Sequence, residues 1–147
     1  MTTPLDKTTE KTIDQLGYAG LIPFAVLTAL LWLVRADLVP FLAAALTAYA
    51  AVIASFLGGI HWGIGFLQAP TALRFHFVWG VVPSLLAWLA LLMPDAAGLP
   101  LLGLVLVACY AVDHKTYPPA GLSRWLGLRL RLTVVATLSC VLGAAAI

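Results

Sequence analysis

Phe41–Leu67 reads FLAAALTAYAAVIASFLGGIHWGIGFL, a run without a single Lys, Arg, Asp or Glu. A membrane-spanning helix needs about 20 mostly apolar residues, and this run exceeds that. Its composition is that of the whole chain: of 147 residues 63% are hydrophobic and 10% charged, with a mean hydropathy of +1.04. Soluble domains hold about 45–50% apolar and about 25% charged residues. A chain this short folding in water still exposes about a third of its surface, so the excess of Leu, Ala and Val requires a lipid-facing coat.

Four more apolar packets flank the first. Tyr18–Val34, Phe77–Met93, Leu99–Val112 and Leu132–Ile147 each hold no Lys, Arg, Asp or Glu. The last two are short and recruit their flanks to reach spanning length. The fold class expected is therefore an all-α, polytopic helical bundle with five transmembrane helices at about 18–34, 41–63, 77–93, 98–114 and 130–147. Residues 1–17 carry Asp6, Glu10 and Asp14 against Lys7 and Lys11. They lack the basic start and apolar core of a cleaved signal, and read as a short cytoplasmic lead. Within it, Thr12 and Gln15 have the spacing of a capping box.

Charge gives the threading. With five spans, Lys7, Lys11, Arg74, Lys115, Arg124, Arg129 and Arg131 fall on one side, and Arg35 alone on the other. Positive residues in short loops collect on the cytoplasmic side, so the amino terminus is expected inside and the carboxyl terminus outside. The same threading brings His61, His76 and the pair Asp113–His114 to one depth at the inner face. Ionisable groups at that depth need a partner or a water path, and imidazole exchanges protons near neutral pH. These four residues form the candidate polar site. Neither H-E-x-x-H nor C-x-x-C occurs, so no metal site is assigned. No motif calls for a cofactor, and no catalytic constellation assembles. Cys109 and Cys140 read as small buried hydrophobes.

The glycines around His61 have a packing meaning. Ser55, Gly59 and Gly63 recur every four residues on one helical face, and Gly58 broadens it. Such faces let two helix backbones approach closely in lipid, either within one chain or between copies. Pro83 sits inside the third span, where it removes one helical hydrogen bond and shapes the surface expected to meet this face. Trp62 reads as an interfacial anchor. Between the fourth and fifth spans, Arg124, Trp125, Arg129 and Arg131 alternate with leucines, as in a segment lying among lipid headgroups. The basic patch is too small and too membrane-bound to suggest nucleic acid.

Several of these stretches together resemble a known family. GLIPF at Gly20–Phe24, Tyr49 followed by SFLGGIHWG at Ser55–Gly63, and PSLLAW at Pro83–Trp88 are similar to small membrane proteins related to transmembrane protein 69, whose defining domain has no known function. LRLRLT at Leu128–Thr133 is a looser match: it follows Trp125–Leu126 where the family often has Trp-Tyr. The resemblance implies a multi-span protein of bacterial inner membranes, or of mitochondria in eukaryotes, and implies no activity. Two classes of function remain open. One is a non-enzymatic packing, assembly or accessory subunit, whose partners are the lipid bilayer and a membrane protein or a second copy of the chain. The other is a small transporter, or a redox or proton accessory, using the His/Asp site at the cytoplasmic leaflet.

Overall fold

Prolines and glycines punctuate the chain in the computed structural model, which describes residues 6–68 and 74–147. Among the described residues the helices are α1 (Lys7–Ala19), α2 (Ile22–Leu33), α3 (Val39–Leu67), α4 (Arg74–Leu91), α5 (Asp95–Thr116) and α6 (Leu126–Ala145), the last entered through a 3-10 turn at Ser123–Trp125. Pro23 and Pro40 stand in the first turns of α2 and α3, where the missing N–H has no intrahelical acceptor to serve. Five helical stretches are long and apolar enough to cross a membrane, the first being α1 and α2 together.

The lead expected at residues 1–17 is largely helix, with residues 1–5 outside the described chain. α1 begins after Asp6 with no side-chain cap. Thr12 lies inside it and donates to the Thr8 carbonyl at 2.9 Å, so the capping box expected at Thr12–Gln15 does not form. The chain breaks at Gly20–Leu21 instead, and the Tyr49 hydroxyl of α3 donates to the Gly20 carbonyl at 2.8 Å. Two stretches that carried the family resemblance thus meet in space.

α3 is the central helix and packs most extensively on α4, then on α5 and α2. Its buried face runs Ala43, Thr47, Ala50, Ala54, Gly58, His61 and Gly65, small residues at three- and four-residue spacing. The packing expectation needs correction here. Gly59 and Gly63 face open space, whereas a methyl group added to Gly58 would overlap the Gly80 carbonyl oxygen of α4. Pro83 supports the same contact from the α4 side, and Ser55 is half-buried in a shallow cleft opposite Ser84. A methyl on Gly65 would stand 2.7 Å from the Phe77 ring. The close face is therefore rotated one position from Ser55–Gly59–Gly63.

The outer surface is apolar on all sides: Trp32, Phe41, Phe56, Val78, Leu104 and Leu138 are exposed. Gly58→Ala is expected to cost about 1–3 kcal/mol through overpacking, while Gly59→Ala, which meets no neighbour, is expected to cost nothing and to gain up to about 1 kcal/mol of helix propensity. Thermal unfolding of both variants in detergent checks this; equal midpoints would place the helix contact elsewhere.

Candidate functional site: a buried Arg–Asp–His–His chain

Four helices each deliver one polar side chain to the end of the bundle where α3 finishes and α4 starts. His61 from α3 places Nδ1 3.1 Å from His76 Nδ1 of α4, and Nε2 3.0 Å from Asp113 Oδ1 of α5. Arg129 of α6 donates to Asp113 Oδ2 through Nε at 2.9 Å and Nη2 at 2.6 Å. His61 and Asp113 are each 1% exposed, and Arg129 is 8% exposed. The two imidazoles stack with ring centres 5.4 Å apart.

The proton positions follow from the partners. A carboxylate only accepts, so His61 carries its hydrogen on Nε2 and gives it to Asp113. In neutral His61 the Nδ1 is then a lone pair, and His76 must donate from its own Nδ1. A proton added to His76 Nε2 can be answered by transfer of the Nδ1 hydrogen to His61, which becomes an imidazolium held against Asp113. The chain thus has two tautomeric arrangements that differ by the movement of one proton between facing nitrogens. Tyr117, just beyond α5, packs beside His61 with ring centres 6.5 Å apart. Burial pushes its phenol up to about 12, with the Asp113 carboxylate adding to the rise, so it stays neutral.

Three of the four expected site residues, His61, His76 and Asp113, come together. His114 does not: it is exposed and lies against Tyr110, with ring centres 6.1 Å apart. Arg129, expected among lipid headgroups, is instead buried as the partner of Asp113. The segment expected to lie in the headgroup layer is mostly the first turns of α6. Arg124 pairs with Glu10, tying α1 to the 3-10 turn before α6, and Arg131 donates to the Tyr18 hydroxyl at 3.0 Å, tying α1 to α6 itself. Trp125 is half-buried. Trp62 stays 41% exposed, yet its indole Nε1 donates to the Phe77 carbonyl at 2.9 Å, clamping α3 to α4 next to the histidine pair.

A second polar contact, unmarked in the sequence reading, lies where α5 begins: the Thr47 hydroxyl donates to Asp95 Oδ1 at 2.7 Å. Asp95 occupies the first turn of α5, where a carboxylate suits the positive end of the helix dipole.

Arg129→Met leaves Asp113 buried without its counter-charge and is expected to cost about 3–5 kcal/mol. Arg129→Met combined with Asp113→Leu should recover much of that loss, short of about 1–3 kcal/mol for the unpaired His61 N–H. Thermal midpoints in detergent decide; a double variant no better than the single one would show that the ion pair is not the source.

The family model described as a protein of unknown function (DUF3429) matches residues 9–145. Transmembrane protein 69 of Xenopus tropicalis is 43% identical over 133 residues, 86% of this chain and 51% of that protein. Transmembrane protein 69 of Mus musculus is 29% identical over 126 residues, 84% of this chain and 51% of the relative. The chain thus spans about half the length of the curated relatives it matches. No solved structure matches it. These relatives, with the five helical stretches able to cross a bilayer, make it an integral, multi-pass membrane protein. The chain belongs to the DUF3429 family of proteins similar to transmembrane protein 69.

Proposed function

We propose that this protein is a non-enzymatic accessory subunit of a bacterial inner membrane, amino terminus in the cytoplasm, that exchanges protons through the His61–His76 pair. One observation carries this: two buried imidazoles face each other nitrogen to nitrogen at 3.1 Å, with a compensated carboxylate behind them. A purely structural network has no need of two facing rings that can each take up and hand on a proton at a ring nitrogen. The charged or titratable groups around the pair are Asp113 on α5, Arg129 on α6 and Tyr117 in the following loop. Asp113 and Arg129 cancel, so one added proton gives the site a net positive charge. That charge is the signal passed to whatever the subunit contacts. The orientation rests on the one-sided distribution of basic residues.

A second reading has its own support. Gly59 and Gly63 stand open on the outer face of α3, beside the half-buried Ser55, and small residues on an outer face can receive a helix of a partner or a second copy. On that reading the protein is an assembly subunit and the polar chain only fastens α3–α6.

Histidine-selective nitrogen labelling separates the two. As acid is added, the ring signals of His61 and His76 are expected to change together, as one proton shared between facing nitrogens requires, and His61→Gln should uncouple His76 while the fold persists. Tautomers that stay fixed throughout the titration would leave only the fastener. For orientation, a reporter active only in the cytoplasm should work at the amino terminus and fail at the carboxyl terminus; equal activity at both ends would overturn it.

A further inference from the structure

Between α1 and the rest of the bundle lies an open apolar groove that borders the polar chain at Arg129. Two cavities make it up, about 140 Å³ and about 440 Å³. They share Leu16, Gly17, Phe56, Arg129 and Leu132 as walls. The smaller also holds Thr133, one turn beyond Arg129 on the same face of α6. The Thr133 hydroxyl is buried and has no hydrogen-bond partner among the described residues. An orphaned buried hydroxyl costs about 1–3 kcal/mol, so its place in the wall of a cavity points to an absent acceptor. Arg129 lies in both cavities; it bonds Asp113 through Nε and Nη2 and also bonds the Tyr117 hydroxyl, and of its five N–H donors others remain.

We infer that this groove binds a lipid-soluble quinone, a planar ring with neutral carbonyl oxygens on an apolar tail. Three features select this occupant. The donors Thr133 and Arg129 call for an acceptor. The charge of Arg129 is already balanced by Asp113, so an anionic headgroup would leave net negative charge buried, whereas a neutral carbonyl would not. Aromatic residues line the walls, Phe56 in both cavities, Phe24 in the smaller, and Tyr117 and Trp125 in the larger. The larger cavity is within the usual size of ligand pockets and takes the first part of the tail. The proposal concerns binding alone and does not depend on proton exchange at His61–His76.

The test uses the full chain, purified in detergent and immobilised, with decylubiquinone as the probe. Retention is expected to saturate at a single site. Thr133→Val keeps the side-chain shape and removes only an unpartnered hydroxyl, so it should fold as well as the parent. Losing that hydrogen bond should weaken retention roughly tenfold. Decanol, which has a tail and no ring carbonyl, and phosphatidylglycerol should not displace the probe. Retention that never saturates, that is unchanged in Thr133→Val, or that phosphatidylglycerol displaces as well as excess decylubiquinone does, would overturn the proposal. In the last case the groove holds ordinary lipid.

Discussion

The buried ion pair between Asp113 and Arg129 is the constraint on which the polar interior depends. A lone carboxylate at 1% exposure in an apolar bundle would be neutralised or expelled. Here two N–H donors of Arg129 satisfy Oδ2 and leave Oδ1 to accept from His61. That acceptor fixes the His61 tautomer, which in turn decides which nitrogen of His76 must donate. One electrostatic pairing between α5 and α6 therefore sets hydrogen positions on two further helices, α3 and α4. It also explains how α6, which meets α3 less extensively than α5 does, is held in rotation about its own axis.

The second constraint is steric and acts on the other side of the histidines. Gly58 and Gly80 bring α3 and α4 together without side chains between them, and the antiparallel register then sets His61 opposite His76 within one turn. Trp62 and Phe77, the next residue on each helix, are locked by an indole-to-carbonyl bond. The nitrogen-to-nitrogen approach of 3.1 Å is thus imposed by backbone proximity. A larger residue at either glycine would separate the rings before it altered any charge.

Much of this was legible in the sequence, and the misses have identifiable causes. Hydropathy marked the five spans, and threading by charge brought His61, His76 and Asp113 together. His114 was grouped with them because threading resolves depth and not rotation; adjacent helical residues point roughly 100° apart, so Asp113 and His114 cannot both face the core. Arg129 was missed for the same reason. In LRLRLT two arginines two positions apart lie on nearly opposite faces of a helix, and one had to turn inward once the segment proved helical. The within-chain helix contact lies one position from Ser55–Gly59–Gly63, because that pattern counts only Ser and Gly as small residues. Counting alanines exposes the longer stripe through Ala43, Ala50, Ala54 and Gly58, which is the one α3 buries. The break at Gly20–Leu21 and the Thr47–Asp95 contact depend on tertiary partners that no local pattern reveals.

Arg129 belongs to two neighbourhoods at once. One edge of its guanidinium holds Asp113 and, through it, His61; the side chain also walls the groove beneath α1. Any group that engages the guanidinium from the groove draws on the same positive charge that stabilises the carboxylate, and so alters the field at His61. The converse holds with equal magnitude, because coupling free energy between two sites is reciprocal: a proton added to the histidine pair changes how strongly Arg129 attracts an acceptor in the groove. Because the same side chain takes part in both neighbourhoods, no conformational change is needed to connect them.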